Sequence, residues 1–133
     1  MSKQELRNKS LNAPLGVFSQ ATRVEASGAM VFVSGLTSRD PEGNVIGVGD
    51  ITKQTETILD HMQVVLQDAG GSLDDVCKVT VYIRDMNDFK AIHEVRRRYF
   101  KPPLPASTMV EISRLVSPEL LIEIEAIAVI PNR

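Results

Sequence analysis

Several residue types that would mark a nucleic-acid-binding protein are scarce in this sequence of 133 residues. Tryptophan is absent and aromatic residues make up only 5%, so the side chains on which unpaired bases stack are in short supply. The net charge is −2 at pH 7 and the pI is near 5.7, which does not provide the basic surface that binds phosphate backbones. We therefore expect no nucleic-acid partner.

The chain also lacks the sequence features of a disulfide-stabilised or membrane-embedded protein. Its single cysteine, Cys77, cannot form an internal disulfide and fits a reducing compartment. No apolar run approaches the ~20 residues that a membrane-spanning helix needs. The polar residues 1–7 do not form a secretory signal. These absences predict a cytoplasmic protein without a membrane partner.

What is present is the composition of one globular domain, 43% hydrophobic and 24% charged, and we expect residues 1–133 to form it. Residues 1–13 lack periodicity and are expected at the surface. Asp50 and Asn87 are expected to cap two helices at their N-termini, and Gly70-Gly71 to end the first. Hydrophobic spacing predicts helices over 51–69 and 88–100, and strands over 17–24, 29–35, 76–83, 106–113 and 120–130.

This order predicts an α+β fold: a β-hairpin turning at 25–28, a helix, a strand, a helix and a second hairpin. Strand 29–35 is apolar on both faces, which is typical of a central strand. Both helices are expected on one face of a mixed sheet, leaving the other face uncovered and too apolar to remain in water, so a symmetric homo-oligomer is expected to bury it. Alternation assigns the following residues to the uncovered face: Met30, Phe32, Ser34, Lys78, Thr80, Tyr82, Ser107, Met109, Glu111, Glu123, Glu125, Ile127 and Val129.

The carboxylates of the last strand are the most informative candidates. Glu123 and Glu125 interrupt an apolar strand face, with Glu111 predicted on the strand before them. They are either solvated or ion-paired, or one of them handles a proton or orients a water molecule in an interfacial cleft.

The other candidate side chains have simpler interpretations. Cys77 is expected to be a buried structural thiol. Neither His61 nor His93 has a partner at metal-ligand spacing, so no metal site is expected. The arginine run 96–98 is expected to be a solvated helix end, with anion binding a minor alternative.

Four segments resemble the YjgF/RidA (Rid) family in order and spacing: residues 13–21, 31–35, 85–89 and 122–128. The resemblance implies a chorismate-mutase-like α+β subunit in a homotrimer with clefts between neighbours. It also implies hydrolysis of reactive imines or enamines, such as 2-aminoacrylate, to keto acids and ammonia without a metal or cofactor. Endoribonuclease activity is sometimes attached to the family, but the acidic pI and the few aromatic residues count against it here.

The resemblance assigns roles to individual residues. Glu123 corresponds to the glutamate thought to help activate water. The family's substrate-gripping arginine lies in a Pro-Ala-Arg motif, which reads Pro105-Ala106-Ser107 here, and its pocket tyrosine is replaced by Phe18. The residues expected to line the ligand cleft are Phe18, Ser34, Gly35, Asn87, Phe89, Ser107 and Met109.

The missing arginine leaves two functions open. Serine cannot neutralise a carboxylate, so the standard 2-imino acid chemistry is in doubt. The chain is expected either to deaminate another imine, enamine or related small molecule, or to be a non-catalytic ligand-binding or regulatory trimer. Arg23, Arg39 and Arg114 are candidates to replace the lost cation.

Overall fold

The computed structural model describes residues 3–132 and has the expected α+β architecture, with two α-helices and a mixed sheet. None of the helices in this part of the chain is both long and apolar enough to cross a membrane. The strands are β1 (Lys3–Leu6), β2 (Ala21–Val24), β3 (Ala29–Leu36), β4 (Val76–Ile83), β5 (Ala106–Glu111) and β6 (Ile122–Ile130). The helices are α1 (Ile51–Asp68) and α2 (Phe89–Tyr99), with 3-10 turns at Leu73–Asp75 and Met86–Asp88.

The main sheet has four strands in the order β3-β6-β4-β5. Strand β6 is antiparallel to both β3 and β4, whereas β4 and β5 are parallel. The last strand along the chain therefore enters the middle of the sheet. Strands β1 and β2 form a separate antiparallel ribbon.

This strand order corrects both predicted hairpins and the predicted central strand. Strand β2 pairs with β1, and β5 pairs with β4 rather than with the strand that follows it. Strand β3 lies at the edge of the sheet, where only Val33 is fully buried. Its second apolar face is exposed, because Phe32 and Met30 are 68% and 53% exposed.

Helix α1 forms as its sequence predicts. The Asp50 carboxylate accepts a hydrogen bond from the amide of Lys53 at 3.0 Å, which satisfies one of the free N–H groups at the helix start. Gly70, at a φ of +90°, continues the chain after the helix in a conformation that favours glycine. The side chains of α1 that pack into the core are Thr55, Ile58, Leu59, Met62 and Leu66.

Helix α2 begins differently from the prediction. Asn87 lies within the 3-10 turn and donates its own amide to the carboxylate of Asp85 at 2.9 Å, so Asp85 is the capping residue of that turn. The helix packs beside α1. Arg98 and Glu56 form an ion pair at 2.6 Å, and the Tyr99 hydroxyl donates to Asp60 at 2.8 Å.

The N-terminal segment contains a strand that its polar sequence did not predict. Lys3 is buried, and its Nζ donates to the carbonyls of Asp74 and Val76 at 2.7 and 2.8 Å. Burial lowers the pKa of this amine. Residues 4–6 are exposed, so the rest of this strand lies at the surface, as expected for the N-terminal segment. Residues 1 and 2 lie outside the described range.

Candidate functional site

The pairing register places the predicted site residues on two opposite faces of the sheet. Ser107 pairs with the buried Val79, so it points toward the helices. Glu123 pairs with Tyr82 on the face without helices. The prediction that put Ser107, Met109 and Glu111 on the uncovered face is wrong, because a one-residue change in register exchanges the faces of a strand.

The uncovered face carries Glu123 beside an irregularity in β3. Val33 pairs with Ala126 and Leu36 with Ile124, so Ser34 and Gly35 together oppose the single residue between those partners. This is a β-bulge, a feature that leaves backbone groups unpaired and often adjoins active sites.

Gly35 allows the Glu123 carboxylate to lie against the backbone of β3. A Cβ atom at position 35 would be 1.9 Å from Oε2 of Glu123, which no real contact permits. The φ of Gly35 is not positive, so a side chain here would conflict with the position of the Glu123 carboxylate rather than with the backbone conformation.

The two glutamates of β6 differ in their partners. The Tyr82 hydroxyl donates to Oε1 of Glu125 at 2.7 Å, and this hydrogen bond raises the pKa of the tyrosine. Within residues 3–132, the Glu123 carboxylate takes part in no hydrogen bond or ion pair. The carboxylate that is free to act on a ligand is therefore Glu123.

Two further residues named in the sequence analysis, Asn87 and Glu111, have other environments. The side chain of Asn87 is exposed, and the hydrogen bond from Asn87 to Asp85 is made by its backbone amide. Glu111 accepts a hydrogen bond from the amide of Met86 at 2.8 Å, which gives this exposed carboxylate a structural partner.

On the helix side, four predicted site residues line a single cavity of about 430 Å³. This volume suits a small ligand. The predicted residues are Phe18, Phe89, Ser107 and Met109. The other lining residues are Leu11, Asn12, Pro14, Leu15, Gln20, His93 and Arg96.

Arg96 is a charged residue of this cavity that the sequence prediction did not assign to the site. Its side chain is buried, at 1% exposure, whereas Arg97 and Arg98 are exposed at the same helix end. Its Nη2 donates to the Ser107 hydroxyl at 3.0 Å and to the carbonyl of Val17 at 3.3 Å. The prediction of a solvated run is therefore wrong for Arg96.

The arginines proposed as replacement cations lie elsewhere. Arg23 pairs with Glu25 at the surface, Arg39 donates to the carbonyl of Gly43, and Arg114 is exposed. The sequence did contain one signal for Arg96: it follows the buried Ile92 by four residues, which places both side chains on one helix face.

His93 lies next to Arg96 on the wall of the cavity. It is 5% exposed, and neither ring nitrogen has a hydrogen-bond partner within the described chain. Burial, with the nearby charges of Arg96 and Arg97, lowers its pKa to about 4, so the imidazole is neutral at pH 7. The Phe89 ring packs edge-on against it, and Gly16 approaches so closely that a Cβ would meet Nε2.

Cys77 does not alternate with the buried residues of β4 as predicted. The pairing register shifts between Val76 and Lys78, so Val76 takes the buried position and Cys77 is only half-buried. Its thiol donates to the carbonyl of Ile127 at 3.3 Å, and burial raises its pKa, which disfavours the nucleophilic thiolate.

A larger depression of about 560 Å³ lies over the outer side of α1 and α2. It contains charged groups such as Asp60, Asp74 and Lys101, but none of the predicted site residues. Across residues 3–132, no three His, Cys, Asp or Glu side chains are grouped so that they could hold a metal ion.

The chain has relatives among known proteins and solved structures. The family model described as Endoribonuclease L-PSP matches residues 9–130. A RutC family protein of Pyrococcus abyssi is 43% identical over 128 residues, which cover 96% of this chain and 98% of the relative. The 3-aminoacrylate deaminase RutC of Acinetobacter baylyi is 35% identical with the same coverage.

Two further matches extend the comparison. The 2-iminobutanoate/2-iminopropanoate deaminase of Dermatophagoides farinae is 34% identical over 117 residues, covering 88% of each chain. The crystal structure of YyfB of Yersinia pestis, described as a conserved Rid family protein of unknown function, has a TM-score of 0.89 at 25% identity. It covers 98% of this chain and 100% of its own. The chain belongs to the Endoribonuclease L-PSP family, which includes the RutC and Rid proteins that its sequence resembles.

Proposed function

We propose that this chain is a small-molecule deaminase that hydrolyses a reactive imine or enamine in a cleft between two subunits of a homotrimer. Relatives named as 3-aminoacrylate and 2-iminobutanoate/2-iminopropanoate deaminases support this class of reaction. The reaction adds water to the carbon of a C=N bond, and the resulting carbinolamine expels ammonia and leaves a carbonyl compound. An enamine first takes up a proton at carbon to become the imine.

The state of Glu123 is the observation that carries the proposal. This half-buried carboxylate has no partner within residues 3–132 and lies against a bulged strand. A free carboxylate can accept a proton from water as the oxygen attacks the imine carbon. Glu125 is already held by Tyr82 and is not assigned this role.

The positions of the two residue groups support a site shared between subunits. Glu123 and Gly35 lie on the uncovered sheet face, and Ser107 and Phe18 on the helix side. One subunit cannot bring opposite faces of its own sheet to the same small molecule. A second copy can supply the missing half, and the exposed Phe32 on β3 is apolar surface available for that contact.

A ligand-binding trimer without turnover is the second candidate. It is favoured by Ser107, which stands where the family's anchoring arginine is found in active members. The two candidates share the cleft and differ in whether Glu123 performs chemistry.

Conservative substitution of each β6 glutamate tests the deaminase. Purified protein is mixed with freshly generated acidic and neutral imines, and the remaining imine is trapped with semicarbazide at timed intervals. We expect Glu123→Gln to lower kcat by about 10²- to 10⁴-fold, the usual contribution of a positioned acid or base. Glu125→Gln keeps an acceptor for the Tyr82 hydroxyl. It should change kcat by less than about threefold, because substitutions that preserve a side chain's contacts usually have small effects.

Two results would remove the deaminase proposal. One is full activity in Glu123→Gln. The other is a lack of acceleration of any imine by the wild-type protein, and in that case saturable ligand binding would establish the second candidate.

A further inference from the structure

Arg96 is a charged side chain without a counter-ion in a buried position. Its side chain is 1% exposed, and within residues 3–132 no carboxylate lies within ion-pair distance of it. Burial lowers its pKa only to about 10, so it remains charged at pH 7. Taking a charge out of water is unfavourable unless an opposite charge compensates it.

The hydrogen bonds that Arg96 makes satisfy only part of its guanidinium. Nη2 is bound by the Ser107 hydroxyl and the Val17 carbonyl, both uncharged acceptors. Nη1 is buried and has no hydrogen-bond partner among residues 3–132. Arg96 lies on the wall of the 430 Å³ cavity, so its guanidinium is next to the space that a ligand would occupy, although Nη1 itself is covered in this structure.

The remaining wall of the cavity selects for a small ligand with an apolar part. Phe18, Phe89 and Met109 contribute apolar surface, and the adjacent His93 is neutral. Among residues 3–132, none of those that line the cavity is acidic. An anion bound here would meet one cation, the Ser107 hydroxyl, a neutral imidazole and the amides of Asn12 and Gln20. A single cation matches a single negative charge better than a phosphate dianion.

We propose that Arg96, with Ser107 as its partner, is the residue of this chain that binds the carboxylate of the substrate, in place of a cation at position 107. A planar guanidinium offers two parallel N–H donors to a carboxylate, which gives both charge and orientation. The cation is supplied from helix α2, and Ser107 leaves room for it on β5. The role of Arg96 toward a substrate rests on the proposed deaminase function, but the binding of a carboxylate at Arg96 can be measured without turnover.

A pair of stable ligands tests binding in the wild-type protein. Pyruvate and pyruvamide have nearly the same shape and differ in charge, and calorimetry compares their dissociation constants. We expect pyruvate to bind about 10- to 100-fold more tightly, since a charge-assisted hydrogen bond contributes about 1.5–3 kcal/mol. Equal dissociation constants, or absence of pyruvate binding at millimolar concentration, would overturn the proposal.

Substitution locates the effect. Arg96→Gln should reduce pyruvate affinity to that of pyruvamide, whereas Arg97→Gln, at the exposed neighbouring position, should leave both dissociation constants unchanged. The double variant Arg96→Ser with Ser107→Arg moves the cation from the helix to the strand across a 3.0 Å contact and should restore preference for pyruvate. Rescue would not follow if Arg96 only supported the fold. A preference for pyruvate that persists in Arg96→Gln would contradict the assignment.

The carboxylate site and the deaminase reaction can fail independently in these experiments. Pyruvate binding that depends on Arg96 without hydrolysis of any imine would uphold the carboxylate site and remove the deaminase. Hydrolysis with equal kcat/KM for imino acids and their neutral amides would uphold the deaminase and remove the carboxylate site.

Discussion

At the scale of single residues, His93 links the cavity to a measurable pH dependence. Its pKa is about 4 in the folded protein against 6.5 when unperturbed. Between these values the unfolded chain binds a proton that the folded chain does not, so stability falls as the pH decreases from about 6.5 toward 4.

The His93→Gln variant isolates this contribution from that of the carboxylates. We expect the free energy of unfolding in urea to drop between pH 7 and pH 4.5 by about 2 kcal/mol more in wild type than in the variant. Burial is the main cause of the lowered pKa of His93, and the facing cations Arg96 and Arg97 add to it. The Phe89 ring also packs against the imidazole. The same pH dependence in both proteins would mean that His93 is protonated equally in the folded and unfolded states.

The sequence predicts the role of some residues of the candidate site better than that of others. Glu123 could be selected by its resemblance and its place in an alternating strand. Its freedom from partners could not, because that depends on Tyr82, which engages Glu125 from a neighbouring strand. Arg96 is one of three consecutive arginines, and its spacing of four residues from the buried Ile92 is the sequence signal that separates it from its exposed neighbours. The hydrogen bond to Ser107 could not be predicted in this way, because it depends on how α2 packs against β5.

At the scale of elements, the bulge in β3 positions the candidate base. Gly35→Ala would force the Glu123 carboxylate away from the strand, because the added Cβ would overlap Oε2. We expect kcat to fall about 10- to 100-fold, since misplacement by about 1 Å can cost 10²-fold.

A double-variant comparison separates this effect from general damage. In the Glu123→Gln background there is no base to displace, so adding Gly35→Ala should lower kcat by less than about twofold further. Losses that simply multiply would indicate that Gly35 acts independently of Glu123. Circular dichroism of each variant checks that the sheet is retained.

Sequence signals within a segment were sufficient to predict helix α1, but not to predict which strands pair. Helix α1 has a complete apolar stripe, the cap at Asp50 and the terminal Gly70, all within the segment itself. Strand pairing is not local in this way. Strand β6 takes the position between β3 and β4, so the turns that precede β3 and β6 do not join paired neighbours. The short β1 has no alternation to reveal it.

At the scale of the whole molecule, the uncovered sheet face predicts self-association. Phe32 is 68% exposed on edge strand β3 and lies on the same face as Glu123. Because it makes little contact within the subunit, Phe32→Glu should change subunit stability by less than about 0.5 kcal/mol. Burial of a charge in a subunit interface is costly, so we expect the variant to be a monomer of 14.7 kDa, measured by light scattering after size-exclusion chromatography.

The same variant tests whether the cleft requires two copies, since the residues on the helix side and Glu123 cannot meet within one subunit. Phe32→Glu should therefore lose deaminase activity together with assembly, while its unfolding temperature stays close to that of wild type. Val64→Glu is the matched control, because Val64 is an exposed valine on α1, in the helix layer. It should remain assembled and active. A monomeric Phe32→Glu protein with full activity would place the complete site within one subunit, and a trimeric one would place the interface away from β3.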